Sequence, residues 1–80
     1  MAKKQIPETS INSVFEIGDL VNTQKGIMKV ILNVTKDDYQ FMRLNEEYID
    51  TTSGRHHLKK GEIATQPQSI FNKYHYLYQP

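Results

Sequence analysis

The sequence predicts a mainly β domain: a small antiparallel barrel of four to five strands with a short C-terminal helix. Three observations lead there. Short stretches rich in β-branched and aromatic residues recur along the chain with period-two order. Turn signals separate them at intervals of roughly 8–12 residues, the spacing of small sandwiches and barrels. Only the last segment, from Ser69 onward, shows apolar residues at helical spacing.

The elements follow in order. "MAKKQIPETSINS" has a proline, small polar residues and no periodic pattern, which predicts a flexible tail over 1–13 and a single domain over 14–80. In "FEIGDLV", Phe15 and Ile17 alternate with polar neighbours, Gly18-Asp19 marks a turn or bulge, and Leu20-Val21 resume an extended pattern. After the loop "TQKG", the stretch "IMKVILNVT" places Met28, Val30, Leu32 and Val34 on one face, with Ile27 and Ile31 opposite. That four-residue face is the expected interior of the domain. "TKDD" is a polar turn, and "YQFMRL" is a third strand whose apolar residues change parity between Phe41 and Met42, which suggests a bulge there. "YIDTTSGRHHLKK" forms a hairpin around Gly54. In "PQSIFNKYHYLYQP", Ile70, Phe71, Tyr74, Leu77 and Tyr78 share one helical face, with Ser69 as N-cap after Pro67. Tyr74, Tyr76 and Tyr78 also alternate as a strand would, so helix and strand compete there; the helical reading is preferred.

The opening "FEIGDLV" followed by "KGIMKVILNV" resembles the start of Src-homology-3-like small barrels of the Tudor and KOW type, and "HHLKKGEI" is similar to the way such barrels close, in a turn ending on a buried isoleucine, Ile63. The likeness covers Phe15 to Ile63. It implies a docking module for protein, RNA or DNA. The chain has no tryptophan and no clustered aromatic cage, so no binding residue is carried over from that resemblance.

Composition removes several chemistries. There is no cysteine, hence no disulfide framework, no thiolate metal site and no thiol nucleophile; a reducing, cytoplasmic setting is expected, or a virion if the chain is phage-encoded. Ser10, Ser13, Ser53 and Ser69 lie in the tail or in turns with no recognisable nucleophile elbow. Gly18, Gly26, Gly54 and Gly61 are too far apart for a phosphate-cradling loop. His56 and His57 are adjacent, so in a strand their rings diverge and do not share an ion. The paired acids Asp37-Asp38 and Glu46-Glu47 lack the spacing of a calcium loop. No enzyme activity, cofactor, metal, small-molecule substrate or membrane span is expected.

What remains is binding. A net charge of +1 gives little long-range attraction to polyanions, which favours docking onto protein, or self-association, as a small accessory or assembly component, in keeping with a phage or mobile-element protein. Its surface is expected at Phe71, Tyr74, Tyr76, Leu77 and Tyr78, an apolar stripe that either caps the barrel or meets a partner. The alternative is an RNA- or DNA-binding module. Residues 51–80 hold Arg55, Lys59, Lys60 and Lys73 against Glu62 alone, and Arg55, His57, Lys59, Lys60 and Lys73 would contact phosphates. Exposed lysines also keep a strand edge soluble, so the basic hairpin does not by itself prove a ligand.

Overall fold

The computed structural model describes residues 14–79; the tail expected over 1–13 lies outside the described residues, as does Pro80. The chain is mainly β. In order it forms β1 (Leu20–Asn22), β2 (Met28–Val34), β3 (Asp38–Arg43), β4 (Glu47–Thr51), β5 (Gly54–Leu58), β6 (Ile63–Pro67), α1 (Gln68–Tyr74) and β7 (Tyr76–Leu77). Five strands make one antiparallel sheet in the order β6-β3-β2-β1-β7, and β4 and β5 form a separate two-stranded sheet. Among the described residues no sheet closes into a barrel: β6 and β7 are the two edges, joined in sequence by α1.

Local chemistry places the turns where glycine allows them. Gly18 takes φ +91°, and its N–H donates to the Ile31 carbonyl at 2.8 Å, which carries the chain from Phe15 into β1 alongside β2. Gly26 takes φ +82° and its N–H donates to the Thr23 carbonyl at 3.0 Å, closing the β1–β2 loop. β6 ends on Pro67, which an edge strand tolerates because its missing N–H leaves no ladder bond unmade.

The interior lies on one face of the five-stranded sheet and consists of Phe15, Val21, Ile31, Val34, Tyr39, Phe41 and Phe71, with Ala64 and Leu77 packed against it. Phe71, from α1, is the hub. Its ring centroid is 5.0 Å from Phe41, 5.1 Å from Tyr39 and 5.9 Å from Phe15. These tilted and edge-on arrangements are the ones aromatic quadrupoles favour.

The expected interior face of β2 is therefore corrected. Of Met28, Val30, Leu32 and Val34 only Val34 is buried; Ile31, placed opposite them by simple alternation, is 1% exposed. The cause is a bulge. Ile31 pairs with Phe41 and Asn33 with Gln40, so Leu32 is the extra residue, and Val34 arrives on the same face as Ile31. The bulge expected in β3 is absent: Tyr39 and Phe41 are buried on one face and Arg43 continues their parity. Ile63, expected to be buried, is 56% exposed. Together with Leu20, Val30 and Met42 it forms a row across the outer face, set by the pairings Leu20–Val30, Val30–Met42 and Met42–Ile63.

The C-terminal segment resolves the competing readings by dividing them. Residues 68–74 are helical and Tyr76–Leu77 are strand, paired antiparallel with Val21 and Asn22. Pro67, not Ser69, occupies the N-cap, and no side chain caps the helix. Tertiary bonds hold this end instead: the Gln68 N–H donates to the Asp37 carbonyl at 2.8 Å, and Gln68 Nε2 donates to the Thr35 carbonyl at 2.7 Å. His75 leaves the helix with extended angles, φ −126° and ψ 150°, and feeds β7.

The buried Tyr39 hydroxyl ties three segments together. It accepts from the N–H groups of Val14 (3.0 Å) and Phe15 (3.3 Å) and donates to Asn72 Oδ1 (2.9 Å). Tyr39→Phe leaves the ring in place and strips those partners of their bond. We expect a loss of about 1–3 kcal/mol in a urea titration, since buried groups left unsatisfied cost that much. An unchanged midpoint would show that the hydroxyl does not fasten Val14 and Phe15 to the core.

Candidate binding groove

A groove of about 760 Å³ opens between the inner face of the sheet, the β4–β5 hairpin and the C-terminal segment. Strand alternation explains its walls. In the hairpin, Tyr48 pairs with His57 and Asp50 with Arg55 on one face, so Glu47, Ile49 and Leu58 fall on the other, which lines the groove. On the sheet side the floor is Lys29, Phe41 and Arg43, and His75 closes it from the C-terminal segment.

The floor is chemically unusual because Lys29 is 4% exposed. It faces Arg43 directly across the β2–β3 ladder, and both cations lie over the Phe41 ring, Nζ 5.7 Å and the Arg43 guanidinium carbon 5.4 Å from its centroid. Arg43 has an acid partner, with Nε 3.3 Å from Glu62 Oε1. Lys29 has none within ion-pair distance among the described residues. Its hydrogen-bond partner is His75 Nε2 at 2.8 Å. The tautomer of His75 follows from its other contact: Nδ1 lies 2.9 Å from the Phe71 carbonyl, which can only accept, so Nδ1 carries the proton and Nε2 accepts from the Lys29 ammonium.

Burial lowers the Lys29 pKa from 10.5, opposed by the attraction of Glu47 and reinforced by Arg43. His75 is pushed down to about 4, first by burial, with the hydrogen bond to the Phe71 carbonyl acting the other way and the charges of Lys29 and Arg43 adding to the depression. At neutral pH the imidazole is uncharged. It stacks on Phe71 at 3.7 Å, with 3° between the ring planes.

The expected protein-binding residues divide between core and surface. Phe71 is fully buried at the centre of the core, and Leu77 is half-buried against it. Tyr74, Tyr76 and Tyr78 are exposed by 63%, 49% and 37%, and the first two stand on the groove wall. The Tyr76 hydroxyl donates to the Thr23 carbonyl at 3.3 Å, linking that wall to the β1–β2 loop, where Lys25 also lines the groove.

The expected nucleic-acid residues are not gathered into one patch. Lys73 lines the groove, whereas Arg55 and His57 lie on the opposite face of the hairpin, and Lys59 and Lys60 are exposed in the loop after β5. The hairpin also supplies its own counter-charges. Arg55 Nε is 3.8 Å from Asp50 Oδ1 and the Arg55 guanidinium carbon is 4.7 Å from the Tyr48 ring centroid, while His57 bonds Glu46 Oε2 at 3.0 Å and stacks on Tyr48 at 4.5 Å. His56 turns away from His57 toward the hydroxyls of Thr51 and Ser53, both at 3.1 Å.

Sequence reasoning did not anticipate Lys29, Arg43 or His75. One signal was present: Lys29 is the single charge inside "IMKVILNV", and a charge in an otherwise apolar strand requires a partner or a purpose. Among the described residues no three of His, Asp and Glu converge as a metal set, and no helix is long and apolar enough to cross a membrane. Compared with known proteins, the chain matches no family model, no curated protein and no solved structure.

Proposed function

We propose that this chain is a small non-enzymatic docking module that takes an acidic segment of a protein partner into the groove between its sheet and its β4–β5 hairpin. The observation that carries this reading is the surplus of cations in that groove. Lys25, Lys29, Arg43 and Lys73 line it with Glu47 as the one acid, and aromatic and aliphatic walls (Phe41, Tyr74, Tyr76, Ile49, Leu58) accompany them. Charge of one sign in a concave site concentrates ligands of the other sign, and apolar walls add burial that a bare phosphate backbone cannot use. The meander β1–β2–β3–β6, returning to β1 through α1 and β7, supports a Src-homology-3-like small barrel left open between its edges, with the β4–β5 hairpin as an added wall.

A nucleic-acid strand fits this surface less well. Tracking a phosphate backbone needs unpaired cations spaced along the molecule, and Arg55 and His57 are already engaged by Asp50 and Glu46. The test is a fluorescence titration of the protein with a short glutamate-rich peptide, its glutamine counterpart and an oligothymidylate. The acidic peptide is expected to bind, the glutamine peptide weakly or not at all. Replacing Lys25 and Lys73 by Ala is expected to weaken the acidic peptide by a few-fold, as loss of two exposed charges does, and to flatten its salt dependence. Tighter binding of the oligothymidylate would overturn the choice of partner, and failure of all three to bind would overturn the groove as a docking site.

A further inference from the structure

Within the groove, Lys29 stands apart from the other cations. Lys25 and Lys73 are exposed, and Arg43 is held by Glu62. Lys29 is buried, only 4% exposed, yet its hydrogen-bond partner among the described residues is a neutral imidazole. An ammonium has three N–H donors, and the contact with His75 Nε2 uses one. A buried charge with no opposite charge in contact is costly; Glu47, the acid of the same groove, attracts Lys29 but lies beyond ion-pair distance, and the ammonium lines the floor of an open groove. His75 is itself locked, with Nδ1 bonded to the Phe71 carbonyl and its ring stacked on Phe71, so the lysine is aimed rather than free to swing.

We infer that Lys29 is the anchor for one carboxylate of the incoming segment: an aspartate or glutamate side chain that enters the groove floor and takes the ammonium donors that His75 leaves. Arg43, directly opposite on the β2–β3 ladder and over the same Phe41 ring, adds positive potential at that point. Phe41 and the hairpin residues Ile49 and Leu58 lower the local polarity and so strengthen the pairing. The inference rests on the docking reading and names the contact that would give it affinity. Lys25 and Lys73, at the rim, draw the segment in; Lys29 holds it.

Two measurements separate this anchor from the docking reading. In the first, Lys29→Met and Lys73→Ala are titrated with the glutamate-rich peptide. Lys29→Met is expected to weaken binding by at least about 30-fold, because it removes one member of a buried charge pair, while Lys73→Ala changes it a few-fold. Equal, small effects of the two variants would overturn the anchor and leave docking intact. In the second, the protein is titrated with sodium acetate against sodium chloride at constant ionic strength, with the His75 ring resonances as the reporter. Acetate is expected to shift them and to raise the melting temperature of the wild type, and to do neither in Lys29→Met.

Chloride acting as well as acetate, or an acetate shift that survives in Lys29→Met, would overturn the anchor. A Lys29-dependent acetate response without peptide binding would keep the anion site and overturn the docking reading. Met matches the aliphatic stem of lysine and lacks the charge, so the variant is expected to fold with a melting temperature at or above that of the wild type. Should it not fold, His75→Gln supplies the same test. It keeps a side-chain acceptor for Lys29 but loses the stacked ring that aims the ammonium, and acetate affinity, read from the rise in melting temperature, is then expected to fall; unchanged affinity would overturn the anchor.

Discussion

Phe71→Ala is expected to remove about 3–5 kcal/mol of stability, the cost of truncating a buried phenylalanine whose cavity cannot collapse. Collapse is blocked on several sides. Phe15, from the segment before β1, and Tyr39 and Phe41, both from β3, each meet the Phe71 ring within 6 Å, at 5.9, 5.1 and 5.0 Å between centroids. The tyrosine is further held by its hydroxyl bonds to Val14, Phe15 and Asn72, so it cannot tilt inward to fill the space. His75 would also lose the surface on which it stacks.

A domain of this size has a total stability of only about 5–15 kcal/mol, so the variant should be largely unfolded or melt far below the wild type by circular dichroism. Ile70→Ala is the companion measurement. Ile70 is the preceding residue of α1 and is 44% exposed, and its loss should change stability by about 0.5 kcal/mol or less. Equal effects of the two substitutions would mean that α1 does not dock through Phe71.

Acidification from pH 7 to pH 4 is expected to take on the order of 2–3 kcal/mol from the wild type through His75 alone. The imidazole has a folded-state pKa of about 4, below the ordinary 6.5, because it is buried and faces Lys29 on β2 and Arg43 on β3, while the Phe71 carbonyl pulls the other way and Glu47 on β4 lines the same groove. Between those two values the unfolded chain binds a proton that the folded chain does not. The contribution is therefore fully present above about pH 6.5, declines as the pH falls, and is gone below about pH 4.

Proton uptake at Nε2 would also remove the lone pair that accepts from Lys29, setting two cations against each other. Urea titrations across this range should show a shallower pH dependence for His75→Gln, which has no proton to gain. Identical pH profiles for the two proteins would refute the burial and orientation assigned to His75. The anchor would change in step: as His75 becomes charged, the floor gains a third cation beside Lys29 and Arg43, and affinity per folded molecule for the ionised fraction of the acetate should rise as the pH falls toward 4.

Much of the architecture was legible as pattern. Turns at Gly18-Asp19, Gly26 and Gly54 were readable because a backbone with positive φ favours glycine, and the structure has φ +91°, +82° and +124° there. The hairpin around Gly54 and the helix through Phe71 and Tyr74 were readable from alternation and from helical spacing. Register was not. A bulge at Leu32 leaves no mark in the sequence, and simple alternation favours the all-apolar face Met28, Val30, Leu32 and Val34 over the face that carries Lys29 and Asn33, which is the one the fold covers at Lys29 and Ile31. The site was less legible than the fold. Tyr74, Tyr76 and Lys73 were identified as binding candidates and do line the groove, while in the basic hairpin that stood out as composition Arg55 and His57 have Asp50 and Glu46 beside them and Lys59 and Lys60 are exposed in the loop after β5.

By itself, then, the sequence determined that this chain would be mainly β, where it would turn, and that it would hold together without disulfides. Those properties depend on residues near one another along the chain, and short-range sterics and periodicity are enough to set them. Only the tertiary structure decided which face of β2 is covered and what surrounds Lys29. Coverage comes from Phe15 and Phe71, and the partner of Lys29 is His75, 46 residues away. Alternation assigns a side chain to one face or the other; whether that face meets solvent, an aromatic core or an imidazole is settled by segments that meet only when the sheet and helix pack.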